Sequence, residues 1–323
     1  MQYSREGDVQ AITHGSRLIR FQPNKGGNAP ADTASGDYES VQTIIDQTDI
    51  VRLNGEPLSR RDRYIAAQFL QFTKRHPCLG ARSVGAIGNL FCGVYDDMDT
   101  VESAWEFVRD TALYYRLSDT DYHPIRTDPD GAVIKSFGAI FVQPVDSQDD
   151  FAEQYWKFAQ IVHDIDPEVW DPSVKSDPSD PGFEMSIAGR AVFTTTLNPE
   201  SPRTARAFSY PTWVMNQLRQ FNALRERPGR AGFENEFERW KSVIRRLDSE
   251  SDPSGRPNPV LTDHGTASAF DQLAGSAPKS AQFVARAGTQ NQRSALRRRI
   301  QQAHDEQASR ACISALTDQL IRL

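Results

Sequence analysis

One histidine stands where a helix could present it to a flat ligand. In the segment YWKFAQIVHDIDPEVWDP, residues 155–172, His163 lies four residues before a proline that ends the helical pattern. At about 100° per residue, the apolar residues before it form one helix face: Phe151, Tyr155, Phe158 and Val162. His163 falls on the shoulder of that face, beside Ala159 and Trp156, where an imidazole could meet a porphyrin. Periodicity alone favours a structural histidine.

Any metal centre in this chain has few ligands to draw on. The three cysteines, Cys78, Cys92 and Cys312, are too few and too widely spaced for a disulfide framework or a four-thiolate site. The histidine–carboxylate spacing of non-heme iron sites occurs at His304 and Glu306, in a polar stretch that suggests no pocket. A metal therefore depends on histidine, carboxylates, one thiolate or a prosthetic group that brings its own ligands.

Four segments, taken in order, carry a resemblance to a known family. They are HPCLGAR (76–82), YWKFAQIVHDIDPEVW (155–170), FEMSIAGRAVFTTTLNPESPRTARAFSYPTWVMNQLRQF (183–221) and NPVLTDHGTASAFDQLAG (258–275). Over residues 60 to 275 the chain resembles the YqcI/YcgG family, whose characterised members include heme-dependent N-hydroxylases and N-oxygenases of amino-acid side chains. The resemblance implies a heme b pocket in an α/β domain and oxidation of an amine or guanidine nitrogen.

Three positions depart from the family pattern. Ser201-Pro202-Arg203 replaces a Ser-Ser-Arg-like turn, Leu218 stands where the family commonly has histidine, and Asn198 stands where a histidine is expected in some relatives. If either missing histidine carries chemistry in those relatives, that chemistry is altered or lost in this chain.

The resemblance implies His163 as the axial heme ligand, with Cys78 as the main alternative and His76 as a third. Asp164 or Asp166 would accept a hydrogen bond from the second ring nitrogen and raise the basicity of the ligand. A Cys78 thiolate would instead donate charge to iron and favour oxygen–oxygen cleavage. Against that role, a buried cysteine is usually a small apolar residue.

The same resemblance gives roles to polar residues around the ring. Trp156 would contact the heme, and Arg203 and Arg206 would pair with its propionates or with the carboxylate of an amino-acid substrate. Asn198 and Asn216 are candidates for substrate binding, although asparagines of this kind also serve turns and helix ends.

Asp263 is a further substrate-binding candidate. It lies in the family-like stretch RPNPVLTDHG, and a pocket for an ammonium or guanidinium group needs a carboxylate. The same Asp-x-Gly pattern is also a common turn former.

The expected function is that of a heme-dependent monooxygenase that N-hydroxylates an amine- or guanidine-bearing small molecule in secondary metabolism. The chain has no G-x-G-x-x-G and no P-loop motif, so electrons would come from a separate donor or from peroxide. Two alternatives remain: a non-catalytic heme-binding or sensor protein, and a cofactor-free interaction protein that acts through its C-terminal helix.

The elements that would position these residues mix helices and strands. Helices are expected after Ser59, from Thr100 or Ser103 onward, and over 155–166, because apolar residues recur there at helical spacing. Further helices are expected over 210–224 and 233–248, and an amphipathic C-terminal helix after 293. Strands are expected over 132–144, 183–187 and 190–197, the last two joined at Ala188-Gly189.

This pattern predicts an α/β (α+β) fold with a mixed or antiparallel sheet flanked by helices. The expected divisions are a flexible N-terminal arm (1–45), the heme-binding domain (46–275) and a C-terminal linker and helix (276–323), the latter able to form a homodimer contact.

Composition narrows the partners. The 323 residues carry a formal net charge of −6 and are 38% hydrophobic, which argues against nucleic acid as a partner. No apolar run reaches the length of a membrane helix, and the polar N-terminus lacks the apolar core of a secretory signal. The expected location is the cytoplasm, with no membrane partner.

Overall fold

A seven-stranded mixed sheet with helices on both faces organises the fold. The computed structural model describes residues 15–23, 41–86, 89–120, 135–178, 180, 182–225 and 242. Its strands are β1 (Ile19–Pro23), β2 (Thr48–Arg52), β3 (Leu90–Tyr95), β4 (Ser136–Phe141), β5 (Met185–Ile187), β6 (Arg190–Leu197) and β7 (Thr212–Gln217). The helices of this part are α1 (Val41–Gln47), α2 (Arg60–Arg75), α3 (Leu79–Ala86), α4 (Val101–Thr120), α5 (Gln148–Ile165) and α6 (Leu218–Arg225). The predicted α+β single domain is confirmed.

The strand order is β2-β1-β3-β4-β7-β6-β5. Among the described strands, only β3 and β4 pair in parallel, and α4 makes the crossover between them. The other neighbours are antiparallel, including β4 with β7 and β6 with β7. The β6–β7 pairing sets Val192 opposite Gln217 and so brings the start of β6 to the end of β7.

Two hydrophobic cores cover the two faces of the sheet. One core packs α4 and α5 on Phe91, Phe137 and Trp213, and this side is the α4–α5 face. The other packs α2 on Cys92 and Ile140, and this side is the α2 face. Because β3 and β4 are buried on both faces, their sequences LFCGVY and SFGAIF read as continuous apolar runs rather than as alternations.

Serine and threonine residues start the long helices, at Ser59 and Thr100 as predicted and at Ser147, which was not predicted. The Ser59 hydroxyl accepts a hydrogen bond from the Asp62 amide (3.0 Å), and Ser147 does the same for Asp150 at the start of α5 (3.0 Å). Of the two possible starts for α4, the structure uses Thr100, whose hydroxyl accepts from the Ser103 amide at 3.3 Å. The β5–β6 hairpin turns at Ala188 and Gly189, as predicted. Both residues have positive φ.

The helix predicted over 210–224 is partly wrong. Residues 212–217 form β7, an interior strand, and only α6 follows as helix. The physical reason is that Trp213 and Met215 fill the core of the α4–α5 face while Val214 packs on the core of the α2 face. A strand that is apolar on both faces gives no period-2 pattern, so its sequence resembles a buried helix.

The flexible arm predicted over 1–45 also needs correction, because β1 lies within it and occupies the interior of the sheet between β2 and β3. Arg17 fastens this segment to α4 through an ion pair with Glu106 (2.7 Å). The buried residues Leu18, Ile19 and Phe21 account for its place in the sheet. The predicted helix over 233–248, the segment 276–323 and Asp263 lie outside the described residues, apart from Ser242.

No helix in the described ranges is long and apolar enough to cross a membrane.

Candidate functional site

The predicted site residues that the structure describes fall mainly at two ends of α5 and β6, which run in opposite directions. At one end, the Asp166 carboxylate accepts a hydrogen bond from the Ala188 amide (2.6 Å) in the β5–β6 turn, and this is the hairpin end. At the other, Asn198 Nδ2 donates to Gln148 Oε1 (3.0 Å), and residues 198–208 form the turn end. His163 lies fifteen positions after Gln148 in α5. At 1.5 Å per residue, the two ends are therefore roughly 22 Å apart.

His163 lies at the hairpin end against an aromatic wall. Its half-buried ring meets Trp170 edge to face, with centroids 5.4 Å apart. Trp170 packs on Phe183 at 5.9 Å, and Phe183 packs on the buried Trp156 at 6.4 Å. Trp156 therefore supports the wall from behind, and Trp170 is the aromatic side chain nearest to His163 in this chain of contacts. The wall offers a flat ligand an apolar surface beside an imidazole.

The two carboxylates after His163 accept hydrogen bonds within this end of the fold. Asp164 is buried and accepts a hydrogen bond from Gln160 Nε2 at 3.1 Å. Asp166 accepts from the amides of Glu168 (2.9 Å) and Ala188 (2.6 Å). Asp166 thus ties the hairpin to the end of α5, next to His163.

His76 lies at the turn end, and both of its ring nitrogens are engaged. Nδ1 accepts a hydrogen bond from the Cys78 amide at 3.0 Å, so Nε2 carries the proton that it donates to the Ala205 carbonyl at 2.9 Å. Neither nitrogen is open to a metal in this arrangement. The ring joins α2 to the turn end and does not fit an axial ligand.

The structure describes two cysteines, Cys78 and Cys92, and Cys78 is the better candidate for a metal ligand. It is half-buried, directly before α3, whereas Cys92 is fully buried in the sheet. Burial raises the pKa of the Cys92 thiol far above its ordinary value, which keeps Cys92 protonated. Cys78 lies beside His76 at the turn end, and His163 lies at the hairpin end. Because the two ends are roughly 22 Å apart, these two residues could not bind one metal centre as a pair.

Arg203 and Arg206 belong to the turn end as well. Arg206 Nη1 donates to the Thr196 carbonyl at 3.3 Å, and the Arg206 carbonyl accepts from the Asn198 amide at 3.1 Å. Ala205, which binds His76, lies between the two arginines. Their guanidinium groups are thus grouped with Cys78 rather than with His163, and the structure separates the predicted axial ligand from the predicted propionate partners.

The two candidate asparagines are buried in different places. Asn198 Oδ1 has no hydrogen-bond partner within the described ranges, although Asn198 Nδ2 binds Gln148. Asn216 lies within the sheet, where its Oδ1 accepts from the Ser136 hydroxyl at 2.5 Å. Across the described part of the chain, no three histidine, cysteine, aspartate or glutamate side chains gather as a bare metal site would require.

The chain matches the model of one known protein family. The model of the YqcI/YcgG family matches residues 66–307, most of the chain. The protein belongs to the YqcI/YcgG family. The matched range takes in α5, β6 and both ends described above, and it leaves out β1 and β2. No curated protein and no solved structure matches the chain.

This YqcI/YcgG protein also has a polar cluster at the hairpin end that its sequence does not reveal. The Arg190 guanidinium lies over the Tyr115 ring, 5.0 Å from its centroid. Arg190 Nη1 and Arg219 Nε both donate to Gln217 Oε1, at 3.2 Å and 2.6 Å. These residues come from α4, β6, β7 and α6. Their contact depends on the pairing register of β6 and β7, which the sequence alone does not give.

Burial governs the ionisation of this cluster. It raises the pKa of Tyr115 well above the ordinary value, and the nearby Tyr114 and Asp166 raise it further, against the opposing effect of Arg190. The Tyr115 hydroxyl therefore stays protonated at neutral pH and can only donate or accept as a neutral group. Burial also lowers the pKa of Arg219.

Proposed function

We propose that the protein is a heme-dependent N-oxygenase that binds heme b at the hairpin end through His163. Its substrate would be an amine or guanidine nitrogen of an amino acid or a related small molecule of secondary metabolism. The observation that carries the proposal is the position of His163, a half-buried imidazole beside the Trp170–Phe183 wall. Family membership adds support, because heme-dependent N-oxygenation is what the resemblance to characterised relatives implies.

The donor chemistry of the described residues fits a heme better at His163 than at His76. His76 uses both ring nitrogens for backbone hydrogen bonds, and Cys92 is a buried, protonated thiol. His163 combines partial exposure with an aromatic neighbour, which suits a ligand for a planar group. Cys78 remains the alternative ligand, with Arg203 and Arg206 nearby to pair with propionates.

The bound heme would supply oxygen activation, with electrons from a separate donor protein or oxidising equivalents from peroxide. The chain itself would hold the ring, keep water from the aromatic wall and orient the substrate nitrogen. Asp166 would keep the hairpin in register with the end of α5, so that the groups on either side of the ring hold fixed positions.

A heme-binding protein without turnover is the second candidate. Leu218 and Asn198 favour it, because the resemblance implies a histidine at these positions in some relatives. In the structure Asn198 is buried at the turn end, and Leu218 starts α6.

Product analysis tests the enzymatic proposal. The full-length protein, purified from heme-supplemented cells, is incubated with L-lysine, L-ornithine or L-arginine and either a reductant with oxygen or hydrogen peroxide. Mass spectrometry should show a product heavier by one oxygen atom on nitrogen, absent from His163→Ala and from free hemin. A heme-loaded protein that oxidises none of these substrates would favour the non-catalytic candidate instead.

A further inference from the structure

We propose that the cluster of Arg190, Arg219, Gln217 and Tyr115 is a carboxylate-binding site. The carboxylate would belong to the amino-acid substrate or to a heme propionate, so the choice of ligand rests on the proposed function. The site lies at the hairpin end, the same end of the sheet as His163.

The orientation of the Gln217 amide is the first observation behind this proposal. Two guanidinium N–H groups, from Arg190 and Arg219, point at one amide oxygen, and arginine can only donate. The oxygen and nitrogen of the amide are therefore assigned by their partners, and Nε2 must face elsewhere. Gln217 is 1% exposed, and its Nε2 has no hydrogen-bond partner among the described residues.

The Tyr115 hydroxyl is the second observation. Tyr115 is 2% exposed, and its hydroxyl also has no partner in the described part of the chain. The Arg190 guanidinium covers the same ring. A buried donor without an acceptor costs free energy, so two such donors in one cluster indicate an acceptor that the protein chain described here does not provide.

The local charge favours an anion as that acceptor. Two guanidinium groups meet at the amide oxygen of Gln217, and α6 begins at Leu218, directly after Gln217, so the positive end of its dipole adds to their charge. A planar acceptor with two oxygens matches the paired donors of a guanidinium group. A carboxylate meets all of these requirements.

Among the described residues, the two carboxylates that act electrostatically on Tyr115 already hold the hairpin. Asp166 and Asp171 both act electrostatically on Tyr115. Asp171 accepts from the amides of Ser173 (2.9 Å) and Ala191 (2.8 Å), and Asp166 accepts from two amides near α5 and the turn. These four backbone bonds fix the hairpin that carries Arg190 and leave the acceptor role at Tyr115 and Gln217 to a ligand.

Binding to the full-length protein tests the proposal in two arms. The first compares L-arginine with agmatine, which has the same guanidine but no carboxylate, on heme-free protein by calorimetry. The second compares hemin with hemin dimethyl ester, whose propionates are blocked, by absorption titration. Each arm uses the wild type, Tyr115→Phe and Arg190→Gln, with Arg116→Gln as the control, an exposed arginine next to Tyr115 on α4.

A carboxylate site predicts a clear pattern. The carboxylate-bearing member of one pair should bind more tightly, and the arm in which this occurs identifies the source of the carboxylate. Arg190→Gln should weaken that binding about tenfold to a hundredfold, and Tyr115→Phe should weaken it about threefold to tenfold. Arg116→Gln should bind as the wild type does.

Equal binding within both pairs would overturn the proposal, as would equal affinity in the wild type and both cluster variants. These results are separate from the fate of the proposed function. A protein that binds hemin and its ester equally well would keep the heme and lose this site. A protein that prefers L-arginine to agmatine but binds no heme would keep this site and lose the N-oxygenase.

Discussion

Asp110 shows how a buried charge fastens the N-terminal segment to α4. It is fully buried and accepts hydrogen bonds from the Ser16 hydroxyl (2.7 Å), the Arg17 amide (3.1 Å) and the Tyr95 hydroxyl (2.9 Å). Burial raises the pKa of its carboxyl from the ordinary 3.8, and the nearby positive charge of Arg109 offsets only part of that effect. The folded protein therefore holds a proton on Asp110 more tightly than the unfolded chain does.

Asp110→Asn should change both the stability and its dependence on pH. The amide of the new asparagine would place its N–H groups against the three groups that donate hydrogen bonds to Asp110. The variant should therefore lose about 1–3 kcal/mol of unfolding free energy. Because the folded pKa is raised, the stabilisation from protonating Asp110 is fully present below pH 3.8 and is lost as pH rises through the folded pKa. The stability difference between wild type and variant should therefore widen on acidification.

Urea unfolding of both proteins from about pH 7.5 to about pH 4.5 measures this difference. Glu106 should add to the same trend, because burial and the charge of Asp110 both raise its pKa and the variant removes the second cause. A difference that stays constant or narrows on acidification would contradict the assignment of Asp110.

At the same scale, the sequence could identify residue types but not their hydrogen-bond partners. The helical position of His163 on the shoulder of an apolar face was predictable, and the structure places the ring beside Trp170. The engagement of His76 was not predictable, because one partner, Ala205, is 129 residues away in sequence. The same reason hid Arg190 and Arg219, which meet only through strand pairing.

At the scale of elements, the sequence predicted the helices with strong periodicity and the strands with clear turns. Ser59 marks the start of α2 with a local signal, and the Ala188-Gly189 turn marks the β5–β6 hairpin. The strands that were missed are β1, β2, β3 and β7. In β3 and β7, burial on two faces removes the alternation that marks a half-buried strand. β4 is buried in the same way but was predicted, because β-branched and aromatic residues recur in its segment. Packing, not local preference, decides such segments.

Gly138 in β4 lets α2 approach the sheet closely. A Cβ atom at this position would lie 2.5 Å from Phe69 Cε1, closer than side chains tolerate. Gly138→Ala should therefore lower the free energy of unfolding by about 1–3 kcal/mol through overpacking. Gly85→Ala in α3 is the matched control: its nearest contact would be 3.4 Å, and helix propensity favours alanine, so it should be neutral or stabilising.

Chemical denaturation of Gly138→Ala, Phe69→Leu and the double variant tests the cause. If the clash with Phe69 is responsible, the double variant should lose less stability than the sum of the single variants, by about 0.5 kcal/mol or more. Additive losses would place the strain elsewhere.

At the scale of the whole molecule, the fold divides the predicted site into two groups roughly 22 Å apart, as the length of α5 sets. His163, the aromatic wall and the Arg190 cluster lie at the hairpin end. Cys78, His76, Arg203 and Arg206 lie at the turn end. The sequence could name His163 and the residues of the turn end, but it could not name the Arg190 cluster or separate the two ends, because the antiparallel course of α5 and β6 is a property of the assembled fold.

This separation makes the choice of ligand a question about the location of the heme. A heme at the hairpin end uses His163, and a heme at the turn end uses Cys78. Single substitutions at the two positions should therefore have opposite outcomes. His76→Gln should leave heme binding at the hairpin end intact, because both ring nitrogens of His76 serve the backbone of the turn end.

The most direct test is the absorption spectrum of the full-length protein from heme-supplemented cells, in ferric, ferrous and ferrous-CO forms. The wild type, Cys78→Ala and His76→Gln should show a Soret band, and His163→Ala should lose that band. The Soret band of the ferrous-CO form should lie at about 420 nm, as for a histidine ligand. A ferrous-CO Soret band at about 450 nm that disappears in Cys78→Ala would place the heme at the turn end. Absence of a Soret band from every preparation would contradict heme binding itself.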